Sequence, residues 1–453
     1  MKKPNVIFVF ADQWRAQATG YAGNNVVKTP NLDKLAAESV NFTNASSGCP
    51  VCTPYRASFL KGQYPLTTGL FVNDVSIDTE TMSIAQAFKT ADYDTAYIGK
   101  WHVDGHGRDG YIPRERQQGF DYWKVLECTH DYNNSYYYEG DCDLKRRWDG
   151  YDAFAQTDDA RNYIRQRESD SPFFMVLSWG PPHAPLDTAP KEYRDMYKPE
   201  DIQLRPNVPV ELEEKARIWL SQYYAHCSAL DKCLGDLLDT LNDTGIADDT
   251  IFVFTSDHGD MLGSHGFEKK QKPWEESIRV PFLLRLPAKF GVDAKECDAP
   301  VDAPDIMPTL LSLCDIEVPE SVEGYDYSDY IQGKGADPSG GASFLACYHC
   351  FGQWRKGMDG GFYGINGREY RGIRTNRYTY VRTLDGPWLL YDNQKDPYQL
   401  TNLIDDEDFS DVSNKLDCEL DRKLTERGDE FLPGMEYIRK FGYEIDEFGT
   451  VPY

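Results

Sequence analysis

Long hydrophobic runs are absent from this sequence of 453 residues. Every apolar stretch is far shorter than the roughly 20 residues that a membrane-spanning helix needs, so we expect no membrane partner. The N-terminal Met1-Lys2-Lys3-Pro4 leads directly into a short apolar segment that carries Asp12, which is not the pattern of a secretory signal peptide. Internal repeats and low-complexity tracts are also lacking, and the length suits two packed globular units.

A disulfide framework and an excess of positive charge are missing as well. The eleven cysteines are an odd number in a chain of this size, which predicts a reducing environment. Together with the absence of a signal peptide, this predicts a cytoplasmic protein. Lys and Arg number 48 against 74 Asp and Glu, for a net charge of −26. Such a field opposes binding to nucleic acid, and it disfavours a long polyanionic polymer unless a local basic pocket overrides it.

Short apolar runs, each ending in polar residues, define the predicted fold. The runs at 6–11, 95–98, 172–179 and 250–255 fit buried parallel strands of an α/β domain. The carboxyl ends of such strands are where ligands bind in open sheets. A helical pattern at 209–243 packs on the sheet, and we assign it no chemistry. A Gly-, Ser- and Pro-rich stretch at 333–341 predicts a linker between a catalytic domain at 1–335 and a C-terminal α+β subdomain at 336–453.

One loop that turns into a helix carries the strongest chemical signal. Pro54 suits the first turn of a helix, and Gly62 suits a left-handed helix end. Cys52 would therefore lie at the helix N-terminus, where backbone N–H groups favour an anionic reacting group, and Arg56 could add a fixed positive charge. Cys49 and Cys52 could instead be a redox pair or half of a zinc site. No strand-then-helix thioredoxin context surrounds Cys49, and a second such pair, Cys347 and Cys350, lies too far along the chain for a zinc ribbon.

The pattern Cys52, Pro54, Arg56 and Gly62 resembles the signature of the type I sulfatases, members of the alkaline phosphatase superfamily. The resemblance implies an alkaline-phosphatase-like mixed sheet between helices, with a small C-terminal antiparallel sheet plus helix. It also implies that a maturation enzyme oxidises Cys52 to formylglycine, an aldehyde that hydrates to a geminal diol. One hydroxyl of the diol would attack sulfur and expel the alcohol. The second would let the sulfated adduct collapse and release sulfate, a step at which an ordinary serine would stall.

Further motifs in the chain match other parts of the sulfatase pattern. The resemblance implies that Asp12, Gln13, Asp257 and His258 bind one divalent cation beside residue 52. Oxygen-rich ligation favours calcium, with magnesium or manganese as alternatives. The pairs Asp-Gln and Asp-His replace the more frequent Asp-Asp and Asp-Asn, and the two variants occur together in the same family members.

The remaining catalytic assignments also come from the resemblance. Lys100 would neutralise a sulfate oxygen, His102 would accept a proton when the adduct collapses, and His183 would protonate the leaving alcohol. Lys270 is the lysine that stands four residues before the aromatic-Glu-Glu motif and would bind sulfate. Lys269 and Lys272 would then be surface charges or pocket rim.

The substrate is predicted less directly. We expect a small sulfated saccharide, with a preference for a 6-O-sulfated N-acetylhexosamine. The segment Asp104–Trp148 is expected to be loop-like and to wall the pocket, and Arg371 and Arg374 are expected to bind the sugar through their planar guanidinium groups. Two alternatives remain. One is a phosphonate monoester or phosphodiester hydrolase of the same superfamily, a group that lacks the Lys100 and His102 pair. The other is a catalytically silent saccharide-binding protein in which Cys52 stays unmodified.

Overall fold

The computed structural model describes residues 3–354 and 367–453. Within them the strands are β1 (Asn5–Asp12), β2 (Val40–Phe42), β3 (Asp94–Lys100), β4 (Tyr122–Leu126), β5 (Tyr136–Glu139), β6 (Arg146–Arg147), β7 (Phe173–Pro182), β8 (Thr250–Ser256), β9 (Phe282–Arg285), β10 (Lys295–Cys297), β11 (Ala342–Cys347), β12 (Tyr370–Thr375), β13 (Tyr378–Thr383) and β14 (Gly386–Asp392). The first ten form one mixed sheet in the order β10-β2-β9-β8-β1-β7-β3-β4-β5-β6, and the last four form a second sheet.

The centre of the large sheet consists of the strands that the apolar runs predict. Strand β1 pairs in parallel with β7 on one side and with β8 on the other, and β3 pairs in parallel with β7. Alternate residues of β1 face opposite sides of the sheet: Val6, Phe8 and Phe10 belong to one core cluster, and Ile7, Val9 and Ala11 to the other. A strand that is buried on both faces must be apolar throughout, which explains the continuous hydrophobic run.

Helices cover both faces of this sheet, so the predicted mixed sheet between helices is confirmed. Helices that contribute to one core cluster include α2 and α9, and those that contribute to the other include α5 and the long α7. The α-helices of the described residues are α1 (Pro30–Ala37), α2 (Cys52–Lys61), α3 (Pro65–Thr68), α4 (Ile84–Thr90), α5 (Asp152–Arg165), α6 (Lys191–Arg194), α7 (Glu213–Asp243), α8 (Glu275–Ile278), α9 (Ala303–Leu313), α10 (Ser328–Ile331), α11 (Ser410–Glu426) and α12 (Gly434–Lys440). No helix in residues 3–354 or 367–453 is long and apolar enough to cross a membrane.

The C-terminal part is an antiparallel sheet in the order β11-β12-β13-β14, with α11 in contact with β12 and β13. This is the α+β subdomain that the sequence predicts. Its strand β11 places Phe344 and Ala346 in the same core cluster as Phe59 and Val72 of the catalytic domain. Because the two parts share a core, the boundary at residues 335 and 336 stays a prediction.

The segment Asp104–Trp148 differs from the expected loop. It contains β4, β5 and β6, which extend the large sheet at one edge. Only β4 has mainly buried residues, and the two residues of β6 are both exposed. Edge strands of this kind lack the continuous apolar pattern of buried strands, so the sequence reading missed them.

Candidate active site

Four strand ends and one helix N-terminus meet at a single point of the large sheet. Strand β1 ends at Asp12, β3 at Lys100 and β8 just before Asp257, while β7 ends one residue before His183. Helix α2 begins at Cys52, and its C-cap Gly62 has φ 66°, as the helix-end prediction requires. Because parallel strands end at the same edge of a sheet, side chains distant in sequence converge there.

The residues expected to bind a cation form a buried cluster. Asp12, Cys52, Asp257 and His258 each offer a ligand atom, and these atoms all lie within 4.8 Å of one another. His258 Nδ1 donates to the carbonyl oxygen of Gly259 at 2.9 Å, which leaves the Nε2 lone pair free. Gln13 lies beside the cluster, because its backbone N–H donates to Asp257 Oδ1 at 2.9 Å. Its side-chain Oε1 is buried and has no partner in the described structure. Two carboxylates and one imidazole nitrogen, with an unpaired buried amide oxygen on the residue after Asp12, fit a hard divalent cation.

Arg56 contacts the carboxylates of this cluster. Its Nη2 lies 3.3 Å from Asp12 Oδ2 and 3.2 Å from Asp257 Oδ2. Its Nη1 donates to Ser178 Oγ at 2.8 Å and to the Lys100 carbonyl oxygen at 2.9 Å. The guanidinium group therefore fixes the orientation of both carboxylates.

Two lysines place positive charge around residue 52. Lys270 Nζ lies 2.8 Å from Cys52 Sγ and 3.3 Å from His258 Nε2. Lys100 Nζ forms a 2.6 Å ion pair with Asp12 Oδ2. Burial alone would raise the pKa of Asp12, but Lys100 and the other nearby cations hold it well below its ordinary value. Burial raises the pKa of the Cys52 thiol to about 12, so an unmodified Cys52 is a neutral thiol and a poor nucleophile.

His102 belongs to a hydrogen-bonded network that the sequence reading missed. Its Nε2 lies 3.3 Å from Asp74 Oδ1, and Arg108 binds both oxygens of Asp74 at 2.8 Å. His102 Nδ1 is buried and has no partner in the described structure. Burial, and then Lys100, lowers the pKa of His102 to about 3, so the ring is neutral near pH 7 and can accept a proton. No local pattern marks Asp74, which lies in a loop after α3.

His183 lies in the same pocket and stacks on a second histidine. Its Nδ1 donates to the Ala184 carbonyl oxygen at 2.8 Å, which leaves Nε2 free. The rings of His183 and His130 are parallel within 3°, with centroids 4.6 Å apart. Burial, and then Lys270, lowers the pKa of His183 well below its ordinary value. His130 comes from the segment Asp104–Trp148, which therefore contributes to the pocket wall.

A cavity of about 220 Å³ opens above Cys52. Lys272, which the sequence assigns to the surface or rim, is buried there, and its Nζ donates to the Glu268 carbonyl oxygen at 2.7 Å. Burial lowers the pKa of Lys272 to about 7. The cavity is lined by predicted catalytic residues and by additional ones: Cys52, Asn73, Asp74, Lys100, His102, Arg108, His130, His183, Lys269, Lys270, Gln271, Lys272, Phe351, Gly352 and Thr450.

The expected sugar-binding residues Arg371 and Arg374 are placed elsewhere, which is a correction. Arg371 is fully buried and pairs with Asp429 inside the C-terminal subdomain, with Nε at 2.5 Å from Oδ2. Arg374 pairs through two nitrogens with Glu275, at 2.7 and 3.0 Å. Neither arginine lines the cavity above Cys52. The guanidinium groups of both arginines bind internal carboxylates and are not available to a sugar.

The alternative based on the Cys49 and Cys52 pair finds no support in the geometry. All eleven cysteines are free thiols. Among the residues that the structure describes, one group of side chains could hold a metal ion, and Cys49 is not part of it. Cys49 instead lines a separate small cavity with Tyr55 and Phe344.

Comparisons with known proteins agree with this arrangement. The family model described as sulfatase matches residues 4–316, and a model of the N-sulphoglucosamine sulphohydrolase C-terminal region matches residues 263–426. The chain is 46% identical over 447 residues to a protein named ulvan-active sulfatase from Formosa agariphila, a match that covers 97% of this chain and 85% of that protein.

Solved structures give the same result for the fold. A putative sulfatase from Bacteroides fragilis superposes with a TM-score of 0.82 at 28% identity, over 96% of this chain and 98% of that one. A phosphonate monoester hydrolase from Agrobacterium radiobacter superposes with a TM-score of 0.74 at 25% identity, over 100% of both chains.

Proposed function

Because the chain belongs to the sulfatase family of the alkaline phosphatase superfamily and is a sulfuric ester hydrolase, we propose that it removes O-sulfate groups from a saccharide with residue 52 as the nucleophile. The observation that carries the proposal is the position of Cys52. Its Sγ marks the place of the reacting atom and lies 2.8 Å from Lys270 Nζ and 3.3 Å from His258 Nε2, in a cavity lined by Lys100 and His102.

Two groups complete this site in the proposal. Formylglycine, formed from Cys52, would supply a hydrated aldehyde with two hydroxyl groups, one to attack sulfur and a second that lets sulfate leave, which a single thiol cannot provide. A divalent cation, calcium in our proposal, would be held by Asp12, Gln13, Asp257 and His258 and would supply positive charge at the sulfate group. Cys52 is 1% exposed in the folded chain, so a formylglycine-generating maturation enzyme has to reach it before folding is complete.

The other side chains of the pocket stabilise charge and transfer protons. Lys100 and Lys270 offset negative charge on the sulfate group, which matters most in a site shielded from water. His102 accepts a proton at the unpaired Nδ1, and Asp74 holds the ring through Nε2. His183 gives a proton to the leaving oxygen from Nε2. The negative charge of a bound sulfate group opposes the effect of Lys270 and favours the protonated form of His183.

The saccharide class is proposed from the relatives. Similarity to a protein named ulvan-active sulfatase makes sulfated ulvan fragments the first candidates. The 6-O-sulfated N-acetylhexosamine expected from the sequence remains the second. We also propose a cytoplasmic location, from the sequence alone, and a small substrate, which agrees with the net charge of −26 because that charge disfavours a long polyanion.

A phosphonate monoester or phosphodiester hydrolase is the rival activity, since such an enzyme has the same fold. Lys100 and His102 both line the cavity above Cys52, and this favours sulfate because the sulfatase resemblance implies the pair and the rival group lacks it. Parallel assays with 4-nitrophenyl sulfate and a 4-nitrophenyl phosphonate monoester separate the two activities by kcat/KM. A higher kcat/KM on the phosphonate would reject the proposed activity.

The direct test is sulfate release by the wild type and by Cys52→Ala. We expect the variant to lose all measurable turnover while it keeps its fold, because residue 52 reacts. Cys49→Ala is the matched control, since Cys49 is a buried thiol three residues away that does not contact the cluster. Intact mass of protein from its native host shows whether the thiol sulfur has been replaced by oxygen. Wild-type activity in Cys52→Ala would reject the mechanism, and an unmodified, inactive wild type would favour the silent binding protein.

A further inference from the structure

A second cavity, of about 230 Å³, adjoins the cavity above Cys52. Lys269 lines both cavities, and Lys270, the next residue, contacts Cys52 Sγ. Residues 184–187 also line the second cavity and follow directly after His183. Lys269 and the chain after His183 therefore link the wall of the first cavity with the wall of the second.

The long helix α7, to which the sequence analysis assigns no chemistry, forms one wall of this second cavity. Trp219 and Gln222 are three residues apart on α7, so they lie on the same face of the helix, and both line the cavity. Lys215, one turn before Trp219, lies 4.4 Å above the indole ring and 3.3 Å from Glu268. Lys215 is 59% exposed, so it can leave the ring without losing a buried position.

Several polar side chains of the second cavity have no partner inside the protein. In residues 3–354 and 367–453, the side chains of Gln222, Asp187 and Lys269 form no hydrogen bond or ion pair. They line the cavity together with Trp219 and Leu186, which supply apolar surface. An aromatic ring with an amide, a carboxylate and an ammonium group around it can bind a ring that has an apolar face and hydroxyl groups at its edge.

We propose that the second cavity binds the sugar residue next to the sulfated one, so that the substrate is a saccharide of at least two sugars. This inference rests on the proposed function, because the sulfate group at Cys52 sets the position of the neighbouring sugar. Trp219 packs against the ring of that sugar, Gln222 and Asp187 bind its hydroxyl groups, and Lys269 lies at the junction between the two residues. A single sulfated sugar or an aryl sulfate fills only the first cavity.

The test compares 4-nitrophenyl sulfate with a tetrasaccharide fraction of ulvan. We expect Trp219→Ala to lower kcat/KM for the tetrasaccharide about tenfold or more, because it removes a large apolar contact surface. We expect Gln222→Ala to lower it less, and both variants to keep the wild-type kcat/KM for 4-nitrophenyl sulfate. The matched control is Ile218→Ala, which changes the 40% exposed neighbour of Trp219 on α7. An equal loss on both substrates, or no loss on the tetrasaccharide, would overturn the inference.

A binding measurement separates this inference from the sulfatase proposal. Chemically desulfated ulvan tetrasaccharide is titrated into wild type and Trp219→Ala in a calorimeter, which requires no turnover. We expect weak binding to the wild type and about tenfold weaker binding to Trp219→Ala. Equal binding by the two proteins, or none by either, would overturn the inference even if sulfate release is confirmed. Loss of binding only in Trp219→Ala would support it even in a protein that releases no sulfate.

Discussion

At the scale of single residues, the chemistry of the site depends on which nitrogen of each histidine carries its hydrogen. His258 and His183 each donate from Nδ1 to the carbonyl oxygen of the following residue, at 2.9 and 2.8 Å, so Nε2 faces the site. His102 has the opposite arrangement, because Asp74 accepts from Nε2 and leaves Nδ1 without a partner. His258 thus presents a ligand atom, His183 a nitrogen that can take up a proton and pass it on, and His102 a proton acceptor, and in each ring the hydrogen bond of the other nitrogen sets this role.

Asp74 is a positioning residue in this scheme, and Asp74→Asn tests it. An amide cannot hold Arg108 by an ion pair, and it no longer fixes which His102 nitrogen is protonated. We expect kcat/KM for 4-nitrophenyl sulfate to fall about a hundredfold, in the range that general base catalysis contributes. The acid limb of the pH profile should also move to lower pH, because Asp74 raises the pKa of His102 and its replacement lowers that pKa. The control is Asp121→Asn, which changes an aspartate that forms surface ion pairs. An unchanged pH profile would mean that Asp74 only supports the fold.

Removal of the cation should lower stability as well as activity. Asp12 and Asp257 are both fully buried, and a cation that binds only the folded protein stabilises it by mass action. We expect EDTA to lower Tm by several degrees, calcium to restore it, and Asp12→Ala to have a Tm that EDTA does not change. Differential scanning fluorimetry with elemental analysis makes the measurement. Stoichiometric zinc, or a wild-type Tm that is insensitive to EDTA, would contradict the proposed site.

At the scale of secondary structure, the sequence predicts the buried strands and helices but not the edge strands or the loops that reach the pocket. Strands such as β1 and β8 are apolar on both faces, so their sequences alone mark them, and the polar residues that follow become candidate ligands. The helix from Cys52 is marked by Pro54 and Gly62 in the same way. Asp74 and His130 reach the pocket from loops, where no periodic pattern exists. The partner of Arg374 is Glu275, 99 residues away, and sequence spacing does not reveal such a pair.

The short helix α8 gives a prediction for pH dependence. Glu276 is buried, its Oε1 lies 2.6 Å from Arg205 Nε, and it accepts from Asn207 Nδ2 at 2.8 Å. Burial would raise its pKa, but Arg205 and the other partners lower it to about 2. An unfolded glutamate has a pKa of about 4.3. The contribution of Glu276 to stability is therefore complete above that value and is lost as pH falls toward 2.

Glu276→Gln should lower the free energy of unfolding by about 3 kcal/mol at pH 7, because Arg205 loses its buried counter-charge. The difference between the variant and the wild type should shrink as pH falls from about 4.3 to 2. Urea denaturation at several pH values measures both quantities, and Glu436→Gln on the exposed side of α12 is the control. A difference that stays constant down to pH 2 would show that Glu276 is not ionised in the folded protein.

At the scale of the whole molecule, the C-terminal sheet supports the loop that carries the nucleophile. The backbone N–H of Ala346 on β11 donates to the Gly48 carbonyl oxygen at 2.7 Å, four residues before Cys52. Gln271, next to Lys270, donates to the Phe351 carbonyl oxygen at 3.0 Å. Arg374 joins the C-terminal subdomain to the catalytic domain, through Glu275 and through Asn44 Oδ1 at 3.1 Å. The C-terminal subdomain therefore acts on the active site by holding it, which replaces the expectation that its arginines select the sugar.

Arg374→Met separates these two roles. The change leaves Glu275 buried without its main counter-charge, and breaking a buried pair in this way costs about 3–5 kcal/mol. We expect a lower Tm and, in the protein that remains folded, equal reductions of kcat/KM for 4-nitrophenyl sulfate and for the ulvan tetrasaccharide. Arg377→Met is the matched control, because Arg377 pairs with Asp392 in the same sheet but is 42% exposed, and exposed pairs contribute little. A loss confined to the tetrasaccharide, with Tm unchanged, would mean that Arg374 does contact the sugar. The ratio of the two kcat/KM values decides between the roles, because a residue that only holds the nucleophile loop cannot distinguish between two substrates that share the same sulfate group.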